Sequence, residues 1–426
     1  MKWRKPKAAQ PRPGAILLQE LLNPEHPLYR LANVLNWARF ESQFGKFYAE
    51  GLGRPALATR LVVGLHYLKY LYNVSDEVVV ASWVENPYWQ YFCGVEYFAH
   101  EFPCDPTSLV KWRQRVGAEG IEKLLKESLA AAQREAVLTP AEVKTVNVDT
   151  TVQEKAIAFP TDARLYHKAR HALVRLARSC NLQLRQSYVR VGKRALVSQG
   201  RYGAARQLKR ARRETRKLRT YLGRVLRNVE RGGRKLAAKH AQVVRVARRI
   251  FTQQRTDHQK VYSVHAPEVE CIAKGKVHKH YEFGCKVWIV TTSHQGWIVG
   301  IDAEHGNPYD GATLKPALTQ VKRLTGMRPQ EAFVDKGFRG QRYHPQAVAV
   351  YISGRRNLTP RLGKLLKRRS AIEPVIGHTK HDHGMARNYL LGKVGDRINA
   401  LLSGCAWNLK KLWRYFVEHP LSVPAP

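Results

Sequence analysis

The chain has 426 residues, of which 44% are hydrophobic and 9% aromatic, so its composition is globular and excludes wholesale disorder. Its formal net charge is +40, and a charge of this size favours a polyanionic partner, because neutralising phosphates releases condensed counterions. The six cysteines form no Cys-x-x-Cys pair, and the most apolar stretch, residues 57–72, is broken by Arg60, His66 and Lys69. We therefore expect reduced thiols, no signal peptide, no membrane span and a cytoplasmic protein.

The first third of the chain has a helical pattern. Apolar residues recur at spacings of three and four between residues 56 and 72, which is the period of one helix face. Asp105 and Pro106 provide an N-cap and a first-turn proline for a later helix. That helix carries three cations, Lys111, Arg113 and Arg115. They predict a DNA-contacting helix, with a solvated basic face as the alternative, inside an all-α N-terminal domain over residues 1–140.

Strand patterns follow the helical region. Residues 145–152 predict one strand. Residues 281–292 and 296–302 predict an antiparallel hairpin, because only a short glycine-containing turn separates them. A helix is expected at about 311–324, followed by two more strands, the first of which leads to Asp335. This order predicts a mixed α/β sheet in which the first strand lies beside both the hairpin and the fourth strand.

A basic segment interrupts the strands. Residues 161–260 hold 29 Lys and Arg against four acids, so a quarter of the chain carries well over half of its net charge. Charge of one sign opposes folding unless an anion lies nearby, and we therefore predict that this segment contacts nucleic acid. Its expected form is an all-helical insertion over residues 161–262. One predicted apolar stripe comprises Leu208, Ala211, Thr215 and Leu218.

Three carboxylates occupy the ends of predicted elements. Asp149 and Asp335 each end an apolar strand, and Glu373 lies where a helix should begin. Because the first and fourth strands are expected to be neighbours, the two aspartates should emerge at the same sheet edge. Three such acids can hold two divalent cations, an arrangement that performs phosphoryl transfer. Glu154 and Asp162 lie near the first aspartate in sequence and are alternatives to it.

Basic residues flank the third acid. Arg369 precedes Glu373 by four residues and Lys380 follows it by seven, which on a continuous helix places the three within about 40° of one another. A metal-binding carboxylate would then have two cations beside it to hold DNA phosphates. Two alternatives remain open. Ser370 and Glu373 also fit a capping box, and Pro374 disfavours one straight helix through this segment.

On these motifs the chain resembles a bacterial insertion-sequence transposase of the DDE class, in the branch called insertion-sequence-five-like. The pattern Arg-x3-Glu-x6-Lys of related transposases is met at Arg369, Glu373 and Lys380, whereas Leu366 stands where they carry a tyrosine. The further motifs that carry the resemblance are residues 148–155, 160–162, 335–340, 376–380 and 382–390.

The resemblance implies a fold, an activity and partners. The implied fold is an RNase H-like mixed-sheet catalytic domain over residues 141–420, which contains the basic insertion. The implied reaction is cleavage at transposon ends and strand transfer to target DNA, with Asp149, Asp335 and Glu373 as ligands of two Mg²⁺ or Mn²⁺ ions. The resemblance also implies that the chain recognises terminal inverted repeats. It further implies that identical chains form an oligomer on paired transposon ends and that the protein is associated with the nucleoid. The expected DNA-binding residues are Arg369, Lys380, His378 and Arg387, with Lys111, Arg113 and Arg115.

Two other function classes remain open. A basic nucleic-acid-binding protein without catalysis would use the acids only as caps and turn residues. It would shift DNA in a gel without cleaving it in Mg²⁺ or Mn²⁺. In a tyrosine recombinase, His167 and Arg170 would form a fragment of the active site, but no convincing nucleophilic tyrosine follows near the end of the chain.

Overall fold

The structure is a computed structural model, and it describes residues 16–48, 56–232, 238–273, 280–355 and 359–421. The chain divides into a first unit, Met1–Glu154 with Lys286–Pro426, and a second unit, Lys155–Cys285. Residues 1–15 of the predicted N-terminal domain lie outside the described residues. The bounds predicted for the domains stay a prediction.

Helices dominate the described chain before residue 145, as predicted. Ser75 and Asn86 cap two of them, each side chain accepting a hydrogen bond from a backbone N–H three residues on. The longest is kinked at Gly117, whose φ of 64° is the left-handed conformation that glycine tolerates. The helices are α1 (Leu18–Leu21), α2 (Pro27–Val34), α3 (Trp37–Phe44), α4 (Thr59–Leu71), α5 (Asp76–Glu85), α6 (Pro87–Phe92), α7 (Thr107–Arg134) and α8 (Pro140–Lys144).

The strands form a mixed sheet. They are β1 (Thr145–Lys155), β2 (Glu270–Ala273), β3 (Tyr281–Thr292), β4 (Ile298–Glu304), β5 (Glu331–Val334), β6 (Ala349–Ile352) and β7 (Arg387–Asn388). β1 lies between β3 and β5, β4 pairs with β3, β6 pairs with β5, and β7 also pairs with β1. The β3–β4 pair is antiparallel, whereas the β1–β5 and β5–β6 pairs are parallel. The predicted hairpin and the predicted neighbours of the first strand are thus confirmed.

The hairpin turn is longer than predicted. β4 begins at Ile298, two residues after the predicted start. Gly296 adopts a φ of 72°, and the Trp297 N–H donates to Thr292 Oγ1 at 3.1 Å. These features keep the residues in the turn rather than in the strand.

The second unit is a helical bundle with an apolar interior. Its helices are α9 (Asp162–Ser179), α10 (Val189–Ala204), α11 (Leu208–Gly232) and α12 (Ala238–Thr252), and β2 pairs antiparallel with the first residues of β3. Leu173, Leu222 and Ile250 are fully buried in its core. The apolar stripe predicted for α11 holds at Ala211 and Leu218. It fails at Leu208, which is 59% exposed because it is the first residue of the helix, beyond the core.

The remaining α-helices belong to the first unit. They are α13 (Asp310–Thr325), α14 (Pro360–Arg368), α15 (Ile372–Asp382) and α16 (Gly392–Glu418). α16 packs against α4, α7 and β4. Its buried Asn408 accepts from the Ile298 N–H at 3.0 Å and donates to the Ile298 carbonyl at 2.9 Å, which fixes the helix on the strand. No helix within the described ranges is long and apolar enough to cross a membrane.

Candidate active site

Strand register brings the two aspartates together. In the parallel β1–β5 pair, Asn147 lies opposite Phe333. Two residues further along each segment, Asp149 comes level with Asp335. Side chains two residues apart in a strand point to the same face, so Asp149 shares the face of Asn147 and Asp335 shares that of Phe333. β1 continues to Lys155, so Asp149 lies inside the strand. The prediction that it ends a strand was wrong, because β1 runs six residues further and also pairs with β7.

Asp149 is largely enclosed. Its side chain is 16% exposed. Oδ1 accepts from the Thr150 N–H at 2.7 Å, and Oδ2 accepts from Arg369 Nη1 at 3.2 Å. Burial raises the pKa of Asp149 to about 6, and the nearby charge of Asp335 adds to the rise, while Arg369 opposes it. Asp149 is therefore a largely buried carboxylate with Arg369 as its cationic partner and Asp335 as a nearby carboxylate.

Asp335 directly follows β5. Its Oδ1 accepts from the Gly337 N–H at 2.9 Å, which caps the short 3₁₀ turn Lys336–Phe338. This turn redirects the backbone immediately after the strand. The carboxylate is therefore held at the strand end, as predicted.

Glu373 lies in the first turn of α15, and Arg369 links it to the first aspartate. Arg369 Nη2 lies 3.7 Å from Glu373 Oε1, while Nη1 of the same guanidinium bonds Asp149. Arg369 belongs to a 3₁₀ turn before α15, so the continuous helix through both residues was wrong. Pro374 explains the break, since it is tolerated in a first turn but not inside a helix.

The capping-box alternative is not observed. The α15 N-cap residue, Ala371, makes no side-chain cap bond, and Ser370 Oγ donates to the Lys367 carbonyl at 3.0 Å. The Glu373 side chain is 65% exposed. It is therefore free of a capping role and available to a ligand.

The alternatives to Asp149 lie elsewhere. Glu154 is five residues further along β1, and an odd spacing places its side chain on the opposite face. Asp162 begins α9 in the second unit, after the N-cap Thr161. His167 and Arg170 also lie on α9. Arg170 is 1% exposed and donates to the Ser187 carbonyl at 2.8 Å, so the tyrosine-recombinase alternative gains no support.

Sequence reasoning missed Asp310, the first residue of α13. Its Oδ1 accepts from Thr150 Oγ1 at 2.9 Å and from Lys286 Nζ at 2.8 Å. Thr150 follows Asp149, and successive side chains of a strand point to opposite faces, so Asp310 lies one residue along β1 from Asp149 and contacts the Thr150 side chain. The sequence did contain a signal for this residue. Asp310 is an acid at the start of a predicted helix, and that helix follows the hairpin that was predicted to lie beside the first strand.

The other predicted DNA-binding cations occupy different surroundings. His378 is exposed, and its Nδ1 lies 2.7 Å from Asp382 Oδ2. Arg387 is exposed on β7, with its guanidinium 5.8 Å from the Tyr389 ring centroid. Lys380 is half-buried on α15. Lys111 and Arg115 are exposed on α7.

Arg113 contradicts its predicted role. It is 4% exposed, and its guanidinium donates to both carboxylate oxygens of Asp76, at 2.9 and 2.6 Å. Arg113 Nη1 also lies 3.2 Å from His66 Nε2. Its position on α7 faces α4 and α5 rather than solvent, because it shares the buried side of the helix with Leu109 and Trp112. Arg113 is thus a structural ion-pair residue and not a DNA contact.

The partners of His66 define its tautomer. Arginine only donates, so His66 Nε2 accepts from Arg113 and Nδ1–H donates to the Val62 carbonyl at 2.7 Å. Burial, and next the charge of Arg113, lowers the pKa of His66 from 6.5 to about 3. Between these values the unfolded chain binds a proton that the folded protein does not. The free energy of unfolding therefore falls as the pH falls below about 6.5.

A His66→Gln variant should flatten this dependence. Between about pH 7 and pH 4 the wild-type protein is expected to lose about 3 kcal/mol more unfolding free energy than the variant. Urea unfolding followed by tryptophan fluorescence at both pH values measures the difference. His100→Gln, at an exposed position, is the control and should behave as wild type. Equal pH dependence in wild type and His66→Gln would show that His66 does not carry the effect.

Comparisons with known proteins identify the family of the chain. A family described as Transposase domain (DUF772) matches residues 17–115, and one described as Transposase DDE domain matches residues 342–413, which include Glu373. An uncharacterized protein of Rhizobium meliloti, ORF8 in the nfe locus, is 55% identical over 190 residues, or 45% of this chain and 91% of that protein. No solved structure matches the chain significantly. The chain belongs to the DDE transposases of insertion sequences, DNA-transposing enzymes that generally use divalent metal ions.

Proposed function

We propose that the chain cleaves DNA at transposon ends and joins the cut strands to target DNA, with Asp149, Asp335 and Glu373 as the catalytic acids. The observation that carries this proposal is the convergence of residues far apart in sequence. Register sets the two aspartates level, and one guanidinium contacts both Asp149 and Glu373. A protein that used its acids only as caps would have no reason to gather them.

The strand order supports our proposal that the sheet is RNase H-like. Its central β1 has the antiparallel hairpin on one side and the parallel strands β5 and β6 on the other. This is the arrangement expected for the catalytic domain, with α9–α12 inserted after β1. The Arg369, Glu373 and Lys380 pattern supports placing the chain in the insertion-sequence-five-like branch.

The donor set fits Mg²⁺ or Mn²⁺. The converging groups are carboxylates, and hard divalent cations prefer oxygen ligands. Asp149, Asp335 and Glu373 would hold two such ions. When bound, the ions neutralise the attacking and leaving oxygens of the phosphodiester.

Arg369 orders the acids before metal binds. Its guanidinium donates to Asp149 and lies 3.7 Å from Glu373, which limits the movement of both side chains. His378, Lys380 and Arg387 follow along the chain and would hold DNA phosphates as positioning cations. Lys111 and Arg115 would also contact DNA, and so, separately, would the exposed arginines of the second unit. Two inverted repeats brought together require a homo-oligomer.

A plasmid assay tests the proposed function. The substrate is supercoiled DNA that carries this reading frame with its native flanking sequence. With Mg²⁺ or Mn²⁺, the purified chain is expected to produce breaks at the inverted repeats and joined products, both mapped by sequencing. Chelation with EDTA should abolish both. A gel shift without breaks in either metal would instead support a non-catalytic DNA-binding protein.

A further inference from the structure

Asp310 is fixed beside the catalytic acids by two partners. Lys286 on β3 donates from Nζ to Asp310 Oδ1 at 2.8 Å and to the Pro308 carbonyl at 2.5 Å. Thr150 Oγ1 donates to the same Oδ1 at 2.9 Å. One oxygen of the carboxylate therefore receives both hydrogen bonds. The other oxygen, Oδ2, faces elsewhere.

Gly337 shows where Oδ2 faces. A Cβ atom added at Gly337 would lie 2.8 Å from Asp310 Oδ2 and 3.0 Å from Asp335 Oδ1. Real Cβ atoms do not approach other atoms this closely, so any side chain here would displace a carboxylate. Asp310 Oδ2 and Asp335 Oδ1 therefore both lie close to Gly337, whose N–H also donates to Asp335 Oδ1 at 2.9 Å. A divalent cation between them would reduce the repulsion between these two carboxylates, one of which already pairs with Lys286.

We propose that Asp310 is a fourth carboxylate of the metal-binding site, with Lys286 as the counter-charge that a divalent ion must compete against. This inference rests on the proposed function, since it assigns Asp310 to the same ions as Asp149 and Asp335. Lys286 is mostly buried, with its side chain 12% exposed, so its ammonium interacts with Asp310 with little screening by water.

The two residues make opposite predictions. Removing the charge of Asp310 takes away an anionic oxygen and weakens metal binding. Removing the charge of Lys286 leaves that oxygen uncompensated and strengthens metal binding. A residue that only stabilises the fold would not produce effects of opposite sign at the two ends of one ion pair.

Mn²⁺ binding to the full chain without DNA tests the proposal, with free Mn²⁺ measured by electron paramagnetic resonance. Asp310→Asn is expected to weaken binding by about 10- to 100-fold, and Gly337→Ala should also weaken it. Lys286→Gln is expected to bind Mn²⁺ more tightly than wild type. Glu331→Gln is the matched control. Glu331 lies on β5, four residues before Asp335, and pairs with Arg361. Its substitution breaks that ion pair and should leave Mn²⁺ binding unchanged.

Asp335→Asn separates the two proposals. If it abolishes Mn²⁺ binding while Asp310→Asn binds as wild type, the role of Asp310 is overturned and the proposed function stands. If Asp335→Asn itself binds normally, the carboxylate site of the proposed function fails. Circular dichroism checks folding. If Asp310→Asn does not fold, Mn²⁺ binding by Lys286→Gln tests the role of Asp310 instead. Unchanged or weaker Mn²⁺ binding by Lys286→Gln would then overturn the inference.

Discussion

Asp149→Asn, Asp335→Asn and Glu373→Gln are each expected to slow DNA cleavage on the order of 1000-fold, which corresponds to about 4 kcal/mol of activation free energy. Each substitution keeps the size of the side chain and removes one anionic oxygen donor, so a metal ion is lost or misplaced. The basic surfaces are untouched. Single-turnover cleavage of end DNA measures the rate, and a gel shift with the same DNA should show unchanged affinity.

Glu331→Gln is the control for this series. It removes a carboxylate from the same strand that leads to Asp335, but at the other end, where Glu331 pairs with Arg361. We expect wild-type cleavage from it. Retained cleavage in any one of the three active-site variants would remove that residue from the catalytic set, whereas loss of DNA binding would point to a folding defect.

The affinity for transposon-end DNA is expected to fall about 1000-fold or more between about 50 and 200 mM salt. A fall of this size is expected because binding that neutralises about six or more phosphates releases counterions, and added salt opposes that release. The second unit should provide much of this dependence, since many arginines on α11 are exposed around its buried apolar side. The triple variant Arg212→Gln, Arg213→Gln and Arg216→Gln tests the contribution. Its slope of log affinity against log salt should be smaller by up to about 3.

A second triple variant separates local contact from net charge. Lys315, Lys322 and Arg328 are exposed in the first unit, so changing them to glutamine removes the same charge from the chain. We expect this variant to keep nearly the wild-type slope. Equal reductions from the two triples would show that overall charge, and not the inserted helices, controls binding.

Much of the sheet could be predicted from local pattern. β3 has the predicted bounds, and β1 and α13 differ from prediction by a few residues at their ends. These elements have strong apolar periodicity, which depends on near neighbours in sequence. The start of β4 was less predictable, because the conformation of Gly296 and a side-chain bond to Thr292 set it.

The placement of charged residues was harder to predict. A cation on an amphipathic helix has the same local pattern whether it faces solvent or an internal acid. Arg113 looked like a DNA contact because Asp76, its partner, is 37 residues away in sequence. Asp310 was overlooked for the related reason that its neighbours, Thr150 and Lys286, come from two other strands.

The amino-acid sequence by itself determined the family, the order of the strands and helices apart from β2 and β7, the basic charge of the inserted segment and the three acidic positions. These follow from local periodicity, composition and short motifs, none of which needs a partner distant along the chain. Only the tertiary structure decided which side chains share the site. Parallel pairing sets the level of Asp149 against Asp335, and packing encloses Arg113 while it brings Asp310 to the space beside Gly337. Contacts of this kind depend on burial and register, which arise only when distant segments pack together.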